Sequence, residues 1–133
     1  MIFKQHKLLY LLIVINLIIL LTGCTSNPTD SQFIVRVSGS TNGLQFDGQC
    51  TAQNEGFLSG ESVAVGLDVK GTIDSVNQPK DYETYGYFIY CAIANQSGIG
   101  TITVELLQEG NVVASAQSTS PDKPATFEFG QTP

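Results

Sequence analysis

Few side chains in this sequence have the type and spacing that chemistry needs. Ser120-Pro121-Asp122-Lys123 has the Ser-x-x-Lys spacing in which a lysine amine activates a serine. That arrangement requires the serine at a helix start inside a much larger fold, whereas Pro121 and Pro124 bracket a surface loop here. Gly56-Phe57-Leu58-Ser59-Gly60 misses the nucleophile elbow by one position, and the only histidine, His6, sits in the N-terminal segment where it serves no such base. Gly98-Ile99-Gly100 opens like a dinucleotide loop, but Thr103 stands where a third glycine belongs and a strand pattern follows, so it reads as a turn. Asp74, Asn77, Asp81 and Glu83 crowd one region and offer the oxygen ligands that calcium takes. Their spacing matches no calcium motif and Lys80 intrudes, so solvated acids compete with that reading. The residues predict a non-enzyme with no cofactor and no metal beyond this one calcium candidate.

The charges are unevenly placed. Six Lys and Arg face 12 Asp and Glu, and Lys4 and Lys7 lie just ahead of the apolar run Leu8 to Leu21. A positive start followed by such a run has the order of an export signal. As a helix the run would reach about 21 Å, short of the roughly 30 Å hydrocarbon core, and it contains Asn16. A permanent transmembrane helix is the competing reading. The run ends in Leu21-Thr22-Gly23-Cys24, which resembles the lipobox of bacterial lipoproteins. The resemblance implies a signal peptide over residues 1–23 and a cysteine, Cys24, that carries thioether-linked lipid and an acylated (palmitate-type) amine. Two or more acyl chains anchor stably to a bilayer. Residues 24–32 would then be the lipidated cysteine and a polar tether, and 33–133 the folded domain. Thr25, in place of Asp, resembles outer-membrane sorting in a bacterium with two membranes. The expected location is the extracytoplasmic face of the cell membrane or outer membrane, with the lipid as membrane partner. Cleavage leaves Arg36, Lys70, Lys80 and Lys123 against all 12 acids, net −8. With so little positive charge, no nucleic-acid partner is expected.

With Cys24 assigned to lipid, Cys50 and Cys91 remain as a pair in an oxidising compartment, where a disulfide forms and persists. Two separate buried thiols are the alternative. Metal or redox chemistry lacks both a C-x-x-C spacing and a histidine.

The elements that must position these groups read as strands, because the apolar residues recur with period two. Phe33, Val35 and Val37 alternate with Ile34, Arg36 and Ser38, and Thr41-Asn42-Gly43 is of the kind that joins hairpins. Leu44, Phe46, Cys50 and Ala52 share a face, as do Val63, Val65, Leu67, Val69 and Ile73. Tyr82 to Asn95 reads as one strand whose Tyr85, Tyr87, Ile89, Cys91 and Ile93 point inward. Ile102, Val104 and Leu106, then Val112 to Gln117, then Ala125, Phe127 and Phe129 complete seven strands. No segment after Cys24 has a helical period. Seven short strands predict an all-β, immunoglobulin-like antiparallel sandwich, although tryptophan is absent and Ile89 takes the place of a corner tyrosine. Phe88 and Tyr90 fall on the face opposite the inward stripe, beside Asp81 and Glu83, and form a candidate binding face for sugars or a partner protein. The competing reading is a central strand whose neighbours cover both rings.

Cys91 to Ser115, with Val35-Arg36-Val37-Ser38-Gly39-Ser40, resembles the small mycobacterial membrane-protein (MmpS-type) transport accessory family. That resemblance implies work beside a large lipid exporter and supplies no catalytic residue. Together these readings predict a lipid-anchored, non-enzymatic binding or scaffold module with an envelope-protein or transporter partner. The alternatives are a transporter accessory subunit and a carbohydrate- or calcium-binding surface domain.

Overall fold

In the computed structural model, which describes residues 30–56 and 60–131, the period-two segments are strands and their apolar sides meet. The elements are β1 (Ser31–Gly39), β2 (Leu44–Glu55), β3 (Ser62–Ile73), β4 (Lys80–Gly86), β5 (Phe88–Asn95), β6 (Ile102–Gln108), β7 (Asn111–Ser118) and β8 (Ala125–Gly130). They form two four-stranded antiparallel sheets, ordered β4-β1-β6-β7 and β3-β2-β5-β8. The protein is an all-β sandwich. Val35, Val37, Val104 and Leu106 from the first sheet pack on Leu44, Phe46, Ile89 and Ile93 from the second. Burying side chains of this size contributes about 1.5–3 kcal/mol each, which is what opposes the entropy of ordering so many strands. The export-type segment, Leu21-Thr22-Gly23-Cys24, most of the tether, and Ser59 lie outside the described residues.

Among the described strands, β2 with β3 and β6 with β7 are consecutive partners within a sheet, and the other connections cross between sheets. The β6–β7 turn is Glu109-Gly110, with φ of 52° and 79°. Positive φ at both turn residues matches the right-handed twist of the flanking strands. Thr41-Asn42-Gly43, expected to join a hairpin, instead carries the chain from one sheet to the other. β1 pairs with β4 and β6, never with β2.

Tyr82 to Asn95 is two strands in different sheets, which raises the strand count from seven to eight. The break is at Gly86, where a Cβ would lie 2.6 Å from the Gln53 carbonyl oxygen and 2.8 Å from Asn54 Oδ1. Only glycine lets the chain pass that close to β2, and Tyr87 alone bridges to β5. Crossing there inverts the alternation. In β4 the buried positions are Thr84 and Gly86, while Tyr85 is 54% exposed and faces outward opposite Gln32. Ile89, Cys91 and Ile93 point inward as expected, but Tyr85 does not, and Tyr87 is half-buried at the crossing with its hydroxyl 2.6 Å from Ser62 Oγ.

β3 departs from expectation in a different way. Val69 and Ile73 are buried, but Val63 and Val65 on the same side are 42% and 45% exposed. β3 is an edge strand, and its first half extends past the cover of the facing sheet. Tyr82 marks where the cover ends: its hydroxyl donates to the Lys70 carbonyl at 2.9 Å, and its ring meets Phe46 edge-on.

Cys50 and Cys91 are directly opposite each other on β2 and β5 and are joined by a disulfide. Both are buried against the core. The link closes a loop with a sequence separation of 41, for which chain entropy gives about 4 kcal/mol. Replacing both cysteines with alanine should lower the unfolding free energy by about that amount, read from denaturant midpoints.

Burial raises the Tyr82 phenol above its ordinary value. The unfolded chain therefore loses this proton first, so the contribution is complete below the ordinary phenol pKa and declines as pH rises through the folded one. Tyr82→Phe should cost about 1 kcal/mol near neutrality and remove that part of the alkaline loss, measured by urea titration at a series of alkaline pH values.

Candidate functional site

The outer side of the β3-β2-β5-β8 sheet is built from the residues that alternate with the core. On β5 these are Phe88, Tyr90 and Ala92, between Ile89, Cys91 and Ile93. The register places Thr51 of β2 and Glu128 of β8 directly beside Tyr90, Gln53 and Gly130 beside Phe88, and Gln49 and Thr126 beside Ala92. On β3 the same rows continue into Ala64, Gly66 and Asp68. β5 is a central strand, yet its neighbours do not bury the ring: Tyr90 is 44% exposed, while Phe88 is half-buried. Short residues explain this. Gly66 and Thr51 stand in the Tyr90 row on one side, and the Gln49 amide lies over Gly66.

The resulting surface is an aromatic plate framed by two amides, two threonine hydroxyls and the carboxylates of Glu128 and Asp68. Amides and hydroxyls both donate and accept hydrogen bonds, and an aromatic face stacks on apolar ring surfaces. The rows through Phe88, Tyr90 and Ala92 hold no cation. The plate offers a stacking surface with hydrogen-bonding groups around it.

Asp81 and Glu83 are not beside this plate. They are on β4, on the outer side of the other sheet. Arg36 takes Asp81 in a two-point fork, Nε to Oδ1 and Nη2 to Oδ2, each 2.8 Å. That hydrogen bonding holds the Asp81 carboxyl below its usual range and the guanidinium above its own. Asp74 accepts from Lys80 Nζ at 2.7 Å, which raises the lysine pKa. Two of the four calcium candidates thus hold cationic partners, Asn77 and Glu83 are exposed, and among the described residues no group of three His, Cys, Asp or Glu is placed to hold a metal ion. Ser120 and Lys123 close a turn, Lys123 N–H donating to the Ser120 carbonyl at 3.2 Å, as the flanking prolines implied. Gly98 and Gly100, with φ of 67° and 65°, make the turn expected of them.

Asn95 is the residue that sequence reasoning passed over. It is fully buried at the end of β5. Its Nδ2 donates to the carbonyls of Ile99 (2.9 Å) and Gly100 (3.1 Å), and its Oδ1 accepts from the Ser97 N–H at 2.9 Å. Its own N–H donates to Ser118 Oγ, also buried. These bonds fix the loop that carries Ile99, 67% exposed, at the end of the sandwich remote from Ser31. An asparagine closing a strand pattern signals a turn in sequence, and only the fold shows that it is the hub of one. Asn95→Ala strands its backbone partners and should cost about 2 kcal/mol, with faster amide exchange confined to residues 96–101 as the local signature.

No family model, curated protein or solved structure matches this chain.

Proposed function

We propose that the protein is a lipid-anchored, extracytoplasmic, non-enzymatic binding module that recognises its ligand on the outer face of the β3-β2-β5-β8 sheet. The observation that carries the reading is the exposure of Tyr90 at the centre of a sheet, framed by Gln49, Thr51, Gln53 and Glu128. An exposed aromatic among planar amides and hydroxyls suits a neutral, hydroxyl-rich ligand, a glycan of the envelope or on a neighbouring protein, which stacks on the ring and hydrogen-bonds around it. Anchoring is supported by the Leu8 to Leu21 run and by Leu21-Thr22-Gly23-Cys24, and an oxidising location by the Cys50–Cys91 disulfide. β1, where the tether enters at Ser31, belongs to the sheet opposite Tyr90, so the plate lies on the side of the domain away from the tether's sheet.

Tyr90→Ala tests the reading, because an exposed ring contributes little to the fold. Its unfolding free energy should stay within about 0.5 kcal/mol of the parent. Its affinity for neutral β-linked hexose oligosaccharides, titrated calorimetrically into the full chain, should fall at least tenfold. Equal binding by parent and variant, or no heat with any neutral oligosaccharide, would sink the glycan assignment.

A further inference from the structure

Among the described residues, no strand pairs with the outer edge of β3 over Ser62-Val63-Ala64-Val65-Gly66-Leu67. An edge strand ordinarily carries a charge, a proline or a cover that prevents pairing with another chain. Here no residue from 62 to 67 is charged or proline, and Val63 and Val65 are left half-exposed on the side where the facing sheet stops. The Gly56 N–H donates to the Glu61 carbonyl, which sets the ladder phase: odd residues of β3 bond to β2, while Ala64, Gly66 and Asp68 turn their N–H and C=O groups to the open edge. At Lys70 the edge is closed, because the Tyr82 hydroxyl already occupies that carbonyl.

We propose that this segment pairs with the same segment of a second copy, antiparallel and about a two-fold axis at Val65. The register follows from the two ends. A symmetric ladder that starts at Ser62 and stops short of the Tyr82-capped Lys70, at Asp68, has Val65 at its centre. Ala64 then exchanges backbone hydrogen bonds with the second copy's Gly66, and Ser62, whose hydroxyl is held by Gln53 and Tyr87, faces its Asp68 across the ladder. Val65 meets its twin at a non-hydrogen-bonded position, where facing side chains are closest, and Val63 meets Leu67. The exposed valines become one continuous apolar strip, and Asp68, the only charge in the segment, lies at the end of the ladder.

Such an axis runs normal to the sheets. Both copies therefore keep the β1 sheet on one side and the Tyr90 plate on the other. On the proposed lipid anchoring, both tethers leave toward the same membrane and both plates face away from it. The two plates would share one eight-stranded sheet, five strand spacings or about 24 Å apart across the strands. A ligand with repeated units would engage both at once.

The test is the oligomeric state of the full chain in detergent, without any ligand, so it is independent of the glycan assignment. Sedimentation should give twice the mass of one chain, with the dimer favoured by salt that screens the acidic copies from each other. Val65→Asp, which sets two carboxylates against each other on the axis, should give the mass of one chain. In oxidised membranes Val65→Cys should cross-link to a dimer on a non-reducing gel, and Lys70→Cys, beyond the pairing, should not. A one-chain mass for the parent at all concentrations, or cross-linking at position 70 but not at 65, would overturn the proposal.

Discussion

The covalent link between Cys50 and Cys91 is the constraint on which the placement of every surface residue in the second sheet depends. Side chains of a strand alternate with a period of two, so a slip of one residue between β2 and β5 would turn the core outward and the polar face inward. A bond between directly opposed residues on the two central strands forbids that slip. With the register held, Ile89 and Ile93 must be buried and Tyr90 must face out. The link joins neighbours within a sheet rather than the two sheets, so cohesion between the layers comes mainly from packing, through residues such as Val35, Val104, Phe46 and Ile93, with hydrogen bonds from Tyr82 to Lys70 and from Asn95 to Ser118 across the layers.

Much of this was legible in the sequence because alternation is a local property. β1, β2 and β6 bury the residues that their spacing selects, and the cysteine pair falls on buried faces as expected. What alternation does not encode is which sheet a strand joins. Tyr82 to Asn95 alternates without interruption, but the chain changes sheets at Gly86, and the requirement for glycine there comes from β2 passing close by, a contact between distant parts of the chain. Tyr85 therefore faces the side opposite to the one its spacing predicts, and Asp81 and Glu83 lie on the other sheet from Phe88 and Tyr90. Val63 and Val65 show the same limit in another form. Their pattern is that of core residues, and only the width of the facing sheet decides that they are uncovered. For the aromatic plate, spacing suffices to turn Phe88 and Tyr90 outward, while the short Thr51 and Gly66 and the acidic Glu128 in the Tyr90 row come from three other strands.

The polar interior follows the same economy. Asn95 and Ser118 are buried together, and hydrogen bonds engage Asn95's amide, its backbone N–H and the serine hydroxyl. They tie the crossing after β5 to the crossing after β7, so the end of the sandwich remote from the tether is held without disulfides of its own. Ion pairs contribute little by comparison, since Arg36 with Asp81 and Lys80 with Asp74 lie in solvent. The fold leaves these acids hydrated on the outside, while Asn54 Oδ1, beside the Gly86 crossing, is buried without a hydrogen-bond partner.

Proton–proton distances across the two central strands test the account most directly. Opposed residues at non-hydrogen-bonded positions bring their α-protons together, so a NOESY spectrum should contain α–α cross-peaks for Gly48 with Ile93, Cys50 with Cys91, and Ala52 with Ile89. Cross-peaks displaced by one residue, or found between β4 and β5 as in a single hairpin, would contradict the register and with it the outward face of Tyr90.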